Sequence, residues 1–255
     1  MRKTSLFALF ALFAMAIPAT AQAGEPVEFS ERPLTYHEGT LALDAGLAIV
    51  GLDNGLVDLS TTALAVGATY AFTDDLQLNA VVLPLLLDPE VDYGNPSITA
   101  RYRFLKSAVE LGAEVGVTIP VQDSTDLSLD AGLRGLLGLT DNTSLWFGLM
   151  FNIVMADETV TNMAIPVQFR MNLAPSFFWY AGSGLSVADM DFDTLTLPLG
   201  VGIGYTLAGP TGDAMLDIYA GYAFPGFLYL GGAEGVDTVN TDHYAFTVGA
   251  TFFAL

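Results

Sequence analysis

The sequence predicts an all-β fold, a 12-stranded antiparallel transmembrane β-barrel with an N-terminal signal peptide. Twelve segments alternate apolar residues with small or polar residues, and the charged residues inside them share one side of that alternation. The links between the segments also alternate in length. Side chains of a strand point to opposite faces with period two, so one face of each segment suits hydrocarbon and the other suits water.

The first 23 residues have the features of an export signal. Arg2 and Lys3 precede an apolar run from Leu6 to Ile17, and Ala21-Gln22-Ala23 forms a small-x-small cleavage site. The run is shorter than the roughly 20 residues that a membrane-spanning helix needs. We therefore predict a signal peptide over residues 1–23, a polar periplasmic tail over residues 24–38 and a transmembrane barrel over residues 39–255.

The composition excludes several classes of protein. The chain has no cysteine, so it is not a disulfide scaffold. It has 28 Asp+Glu against 8 Lys+Arg and a net charge of −20, which argues against a nucleic-acid partner. Its mean hydropathy is +0.50, yet no uncharged apolar run of about 18 residues follows the signal. Alternating strands with a lipid-facing side account for such an apolar chain without spanning helices.

The segments have the lengths that tilted spanning strands need, about 10 residues. We place strands at residues 40–50, 61–72, 76–83, 97–105, 108–119, 127–139, 145–155, 162–173, 177–187, 195–207, 215–224 and 243–254. Short links alternate with longer or more acidic ones, and outer-membrane barrels keep their short turns periplasmic. The pattern predicts the outer membrane of a Gram-negative bacterium, with outer-membrane lipid as a partner and both termini in the periplasm.

Aromatic residues occur where two interfacial girdles are expected. They are Tyr70, Phe72, Tyr102, Phe104, Tyr205 and Phe252 at the short-turn ends, and Tyr222, Phe224, Tyr244 and Phe246 at the long-loop ends. Core aromatics of a soluble β-sandwich are the alternative explanation. The persistence of the alternation over twelve segments favours the barrel.

The last segment, Tyr244 to Leu255, resembles the C-terminal strand that carries the assembly signal of outer-membrane barrels. It ends in Leu255, and Phe252 and Phe253 stand just before that residue. The resemblance implies that the barrel-assembly machinery is a partner of this chain.

Nine charged residues are assigned to the inward face and are the candidate lumen or constriction residues. They are Asp44, Arg101, Arg103, Glu110, Glu114, Asp130, Arg134, Arg170 and Asp217. A one-residue slip would turn all of them toward lipid, where each arginine at mid-bilayer costs about 2–4 kcal/mol. This penalty fixes which face of each strand points inward.

The fourth and fifth segments can be paired explicitly. A two-residue turn between them places Arg103 opposite Glu110, and Arg101 opposite Gly112 with Glu114 diagonal to it. Opposed side chains lie about 5 Å apart, within reach of an ion pair. The pairs are either a structural ladder that fixes the register or a charged constriction that selects solutes, and we favour the ladder.

Two links at the predicted mouth are unusually apolar. One contains Leu85, Leu86 and Leu87, and the other contains Phe227, Leu228, Tyr229 and Leu230. They are either strand extensions above the membrane, or loops packed on their neighbours, or a site that captures apolar solutes.

An acidic link contains Asp189, Asp191 and Asp193, whose spacing is like the start of a calcium loop. Thr194 replaces the turn glycine and Gly200 stands where the twelfth-position Glu belongs, so a solvated acidic loop is the better interpretation. The other outer links are also acidic. A divalent cation that bridges them to anionic lipid heads is the one cofactor that we expect here.

Catalysis has little support in the sequence, so we predict that the chain is not an enzyme. The only histidines are His37 and His243, and neither belongs to a recognisable catalytic pattern. Glu110 and Glu114 share a face, but four residues of strand separate them by about 13 Å, beyond the reach of a glycosidase pair.

The segment Tyr93 to Leu105, followed by Glu110 to Pro120, resembles the phenol-degradation meta-pathway type of outer-membrane barrel. In that pattern a strand ending in basic-aromatic-Phe precedes a glycine-rich strand ending in Pro. The resemblance implies passive transport of small hydrophobic or aromatic compounds. We therefore hypothesise an outer-membrane channel for passive diffusion of small solutes, and the alternative is a non-conducting structural or surface-interaction barrel with acidic, cation-binding loops.

Overall fold

The computed structural model of the chain describes residues 24–53, 58–88, 91–121, 125–231 and 238–254. The predicted signal peptide lies outside the described residues. Most described residues after position 40 belong to strands or to the short turns that join them. No helix in this part of the chain is long and apolar enough to cross a membrane.

The strands follow one another along the chain with short turns after every second long strand. They are β1 (Leu41–Asp53), β2 (Asp58–Thr73), β3 (Leu76–Leu86), β4 (Asp92–Tyr93), β5 (Ser97–Leu105), β6 (Val109–Thr118), β7 (Leu127–Thr140), β8 (Thr143–Met155), β9 (Thr159–Ala174), β10 (Phe177–Val187), β11 (Thr194–Ala208), β12 (Ala214–Gly231), β13 (Thr238–Val239) and β14 (His243–Ala254). Two 3₁₀ helices, η1 (Phe29–Glu31) and η2 (Ala188–Met190), complete the described elements.

Pairing between β1 and β14 closes the sheet into a barrel of twelve strands. Around the barrel, each strand is antiparallel to the next in the order β1, β2, β3, β5, β6, β7, β8, β9, β10, β11, β12 and β14. The closing pair is continuous, from Leu41 opposite Ala254 to Leu52 opposite His243. The two-residue strands β4 and β13 extend the sheet beside β3 and β12 at the long-loop end. The predicted strand number and antiparallel order are confirmed.

The outward face of the barrel is apolar. Val115, Leu133 and Ile203 each leave more than half of their surface exposed, whereas the inward Glu114 alternates with Val115 and is buried. Water-soluble proteins bury side chains of this kind, so a continuous exposed apolar band indicates a lipid-facing surface. Glu114 therefore lies on the inward face, as the alternation predicts.

The aromatic residues also lie where the girdles were predicted. Phe72, Tyr102 and Phe104 are exposed at the short-turn end, and Tyr222 and Phe246 are exposed toward the long-loop end. Tyr70 packs edge-to-face on Phe72, and Tyr222 stacks on Tyr244 with ring centroids 6.2 Å apart.

The strands β3 and β12 are longer than predicted and include most residues of the apolar mouth links. Leu85 and Leu86 end β3 with Leu87 directly after it, and residues 227–230 belong to β12. Their backbones pair with neighbours, as in Leu85 opposite Tyr93 and Leu228 opposite Val239. The mouth candidates are thus strand extensions rather than loops, because β4 and β13 supply pairing partners beyond the predicted strand ends.

Candidate functional site

Residues 24–40, the N-terminal segment, lie inside the barrel at its short-turn end. Glu25, Arg32 and Leu34 are at most 4% exposed, and inward-facing strand side chains bind Arg32 and the backbone of Leu34. The predicted tail outside the barrel is therefore wrong. The segment is polar in composition, but Phe29, Leu34 and Tyr36 give it enough apolar surface to pack against the wall.

An ion pair fixes the middle of the segment to the wall. The Arg32 guanidinium donates to both carboxylate oxygens of Asp217 on β12, and also to the Thr206 hydroxyl of β11 at 3.2 Å. Both partners of the pair are almost fully buried. Two hydrogen bonds in this fork geometry are the strongest arrangement that arginine makes with a carboxylate.

Apolar contacts flank this ion pair on both sides. The Phe29 ring stacks on Phe178 with centroids 4.2 Å apart, and the Tyr36 ring meets Phe253 edge-on at 5.6 Å. The Arg32 guanidinium carbon lies 5.0 Å from the centroid of the Phe253 ring. The aromatic surfaces and the ion pair together hold the segment in one position.

Inward polar side chains accept hydrogen bonds from the backbone N–H groups of the segment. Leu34 N–H donates to Glu110 Oε2 at 2.7 Å, Tyr36 N–H to Gln77 Oε1 at 3.0 Å, and Ser30 N–H to Asn172 Oδ1 at 2.9 Å. An extended segment buried inside a barrel cannot form a ladder of its own, so its donors need such partners. The wall is thus chemically matched to the segment.

The predicted charged wall exists, and Glu114 is at its centre. Glu114 Oε2 accepts from Arg101 Nη2 at 2.6 Å, and its Oε1 accepts from Arg134 Nη2 at 3.4 Å. Arg101 also donates to the Leu34 carbonyl at 3.0 Å, which joins the wall to the N-terminal segment.

The register between β5 and β6 differs from the prediction. Arg101 is opposite Glu114 and Arg103 is opposite Gly112, so the ladder is shifted by two residues. The connection is longer than the two-residue turn assumed from the sequence, because Leu105 is opposite Leu111, and an irregularity between Arg103 and Leu105 reduces the resulting shift to two residues. Arg103 still reaches Glu110, diagonally at 3.0 Å, so that predicted ion pair forms.

Arg170 lies between two aromatic rings inside the barrel. Its guanidinium carbon is 4.0 Å from the centroid of the Trp146 ring and 4.5 Å from that of Phe29. Its Nε donates to Gln168 Oε1 at 2.7 Å. Unlike the other four arginines of the described residues, it has no carboxylate within 4.0 Å in that part of the chain.

A cavity of about 270 Å³ lies between the N-terminal segment and the wall. Arg101, Trp146, Arg170, Phe178, Tyr180 and Tyr219 are among its lining residues. Gln168 lines this cavity and two adjoining ones, so empty space continues along the lumen. The lumen of the described barrel therefore contains several cavities that the N-terminal segment does not fill.

Sequence reasoning missed the aromatic lining. Phe178 and Tyr180 occupy inward positions of β10, and glycines of β11 face them: Gly204 opposite Phe178 and Gly202 opposite Tyr180. A Cβ on either glycine would come within 2.2 Å of the facing ring. The sequence did contain a signal for this lining. Phe178 and Tyr180 stand at the inward positions of one predicted strand, and the next strand has glycines at its inward positions.

The remaining predicted candidates lie apart from this cavity. Asp44 accepts from the Thr251 hydroxyl at 2.7 Å, and Asp130 accepts from Asn152 Nδ2 at 2.9 Å, so each is paired within the lumen. Asp189, at the positive φ of 49°, belongs to η2 and its N–H donates to Asn162. No group of three carboxylates or histidines among the described residues converges to hold a metal ion. This applies to Asp189, Asp191 and Asp193 as well.

Glu25 is a buried acid at the start of the N-terminal segment. Its Oε1 accepts from the His37 N–H at 2.6 Å and from the Thr40 hydroxyl at 3.4 Å, and its Oε2 has no hydrogen-bond partner among the described residues. Burial raises the pKa of Glu25, although the nearby His37 and Arg32 oppose the rise.

We expect docking of the N-terminal segment to strengthen as the pH falls. Because the pKa of Glu25 is raised in the docked state, the protonated acid favours docking. Its contribution to the free energy of docking is complete below the ordinary pKa of 4.5 and is lost as the pH rises through the raised pKa. A nitroxide on the exposed position Glu31→Cys, in a chain without native cysteine, reports release of the segment by its EPR line shape.

Urea titrations should give a higher midpoint for release at about pH 5 than at about pH 7.5. Glu25→Gln keeps the accepting oxygen and cannot ionise, so it should abolish the part of the difference that Glu25 causes. A midpoint that rises with pH, or a pH dependence unchanged by Glu25→Gln, would contradict this prediction.

No family profile and no curated protein matches the sequence. Solved structures do match the fold. A KdgM porin in complex with disordered oligogalacturonate matches with a TM-score of 0.55 and 11% identity, over 83% of this chain and 98% of that chain. An outer membrane channel from Pseudomonas putida F1 matches with a TM-score of 0.53 and 13% identity, over 91% of this chain and 100% of that one. These similarities confirm the predicted fold, a transmembrane barrel of the outer-membrane type.

Proposed function

We propose that this chain is an outer-membrane channel for passive diffusion of small solutes, with a preference for small hydrophobic or aromatic ones. The observation that carries the proposal is the series of cavities along the lumen, which share Gln168 and continue above the N-terminal segment. A 12-stranded barrel is wider than an eight-stranded one, whose interior side chains just fill it. The KdgM porin and the outer membrane channel from Pseudomonas putida F1, which have the same fold, support the proposal.

The aromatic preference is supported by the lining of the passage. Trp146, Phe178, Tyr180 and Tyr219 all contribute to the wall of the first cavity. Aromatic side chains that line a passage offer apolar contact to a solute. The resemblance of residues 93–120 to barrels of aromatic-compound uptake points to the same class of solute.

The N-terminal segment favours a second candidate, a non-conducting barrel. Arg32, Leu34 and Glu25 are buried at the short-turn end, where the segment fills the lumen. A barrel occupied in this way serves as a surface or structural protein if the segment never leaves. Its acidic loops would then be the interacting part, with divalent cations and anionic lipid heads as partners.

Liposome swelling with two glucosides separates these functions. Methyl and phenyl glucoside are both neutral and cross lipid slowly, and they differ by one aromatic ring. For a channel with the proposed preference, we expect phenyl glucoside to enter at least as fast as methyl glucoside, although it is larger. Slower entry of the phenyl compound would indicate a plain size filter and contradict the preference. Swelling no faster than that of empty liposomes, with either sugar, would favour the non-conducting barrel.

A further inference from the structure

We propose that the cavity beside Arg170 is a binding site for a small aromatic carboxylate. This inference rests on the proposed function, because such a solute must enter through the lumen. The starting observation is a charge separation within the chain. The net charge is −20, yet every arginine of the described residues lies inside the barrel, and Arg32, Arg101 and Arg170 all line one cavity.

Two of these three arginines already have anionic partners. Arg32 donates to both oxygens of Asp217, and Arg101 donates to Glu114. The cavity lining therefore carries one positive charge that no described carboxylate within 4.0 Å neutralises, that of Arg170. A guanidinium removed from bulk water without a counter-ion is costly, and an anion in the cavity relieves that cost.

The contacts of Arg170 leave its terminal nitrogens available. Its Nε donates to Gln168, whereas Nη1 and Nη2 have no hydrogen-bond partner among the described residues. The rings of Trp146 and Phe29 lie over the guanidinium carbon at 4.0 Å and 4.5 Å. Rings stacked on a guanidinium cover its faces and leave its N–H edge free, and that edge fits the two oxygens of a carboxylate.

The surroundings of this edge select the rest of the ligand. Phe178, Tyr180 and Tyr219 complete the lining with aromatic surface, and the cavity of about 270 Å³ has room for a single-ring molecule. An aliphatic acid would use only the charge, and a neutral aromatic compound would use only the rings. Carboxylates of the long-loop end repel an approaching anion, but salt at 0.15 M screens that repulsion beyond about 8 Å.

The chain contains a built-in reporter for this site. It has two tryptophans, Trp146 in the cavity lining and Trp179 on the outward face of β10, opposite Ile203. In a Trp179→Phe background, all tryptophan fluorescence comes from Trp146. Titration of the detergent-solubilised full chain with benzoate should therefore change the emission saturably, and acetate or phenol should bind at least tenfold more weakly.

Arg170→Gln should weaken benzoate binding at least tenfold, and Arg170→Lys should restore part of it because the charge returns without the fork. Lys106→Gln, at an exposed turn outside the cavity, is the matched control and should bind as the unmodified chain does. Heat-modifiable gel migration verifies that each variant is folded. If Arg170→Gln does not fold, calorimetry of benzoate against acetate on the unmodified chain decides the question.

No saturable benzoate binding, or equal binding of acetate and benzoate, would overturn the inference, and so would an Arg170→Gln protein that folds and binds normally. The measurement in detergent needs no transport. A chain that binds benzoate but leaves liposomes sealed retains this site and loses the proposed channel function. A chain that conducts without binding benzoate retains the channel and loses this site.

Discussion

Arg32→Ala is expected to release the N-terminal segment and to raise the single-channel conductance several-fold, with the barrel itself intact. The substitution removes the cation from a pair in which both side chains are almost fully buried, and it leaves Asp217 with the Thr206 hydroxyl alone. Breaking one side of a buried pair costs about 3–5 kcal/mol. The stacking of the guanidinium on Phe253 is lost as well.

Planar-bilayer recordings measure the conductance, and the EPR line shape of a nitroxide elsewhere in the segment measures the release. Glu31→Ala is the matched control because Glu31 is the adjacent charged residue, is exposed, and its side chain forms no hydrogen bond or ion pair with the described residues. It should behave as the unmodified chain. Release without any rise in conductance would show that the segment is not what narrows the lumen.

Glu114→Gln is expected to lower the free energy of unfolding by about 3 kcal/mol. One carboxylate neutralises two guanidiniums, Arg101 at 2.6 Å and Arg134 at 3.4 Å, and it is buried in the wall. Glutamine keeps the shape of the side chain but leaves two cations facing each other across the strands. In a conducting barrel the same change shifts the ion selectivity toward anions.

Urea unfolding in lipid vesicles gives the free energy, and the reversal potential across a salt gradient gives the selectivity. Glu158→Gln, an exposed acid near the long-loop end, is the control and should change neither. The double variant Glu114→Gln, Arg134→Gln should recover part of the lost stability because it removes one of the two cations. Equal stability of Glu114→Gln and the unmodified chain would mean that water in the lumen already screens these charges.

The faces of the strands could be predicted because they depend on a period of two and on the large cost of placing a charge in lipid. Arg101, Glu114 and Arg134 all lie on the predicted inward side for this reason. Register is a different quantity, since it is set by turn geometry. The connection after Leu105 is longer than a two-residue turn, and with the irregularity between Arg103 and Leu105 it shifts the pairing of Arg101 by two residues without moving that side chain to the other face.

The occupied lumen could not be predicted. Residues 24–40 have no strand or helix periodicity, and their contacts are with residues far along the chain, such as Ser30 with Asn172. The sequence also could not predict that Arg170 has no carboxylate partner among the described residues, because that depends on which side chains lie beside it in space. The end of β12 was placed too early because Pro225 interrupts the ladder, and pairing resumes at Leu228 opposite Leu197.

The attachment of the N-terminal segment to β12 also orders the events of folding. Arg32 and Asp217 are 185 residues apart, and Phe253, which Tyr36 contacts, belongs to the strand that closes the barrel. The segment that precedes β1 can therefore take its final position only after β12 and β14 are in place. Interactions that form after the rate-limiting step change the rate of unfolding and leave the rate of folding unaltered. We therefore expect loss of the Arg32–Asp217 pair to raise the rate at which the assembled barrel unfolds and to leave its rate of folding unaltered.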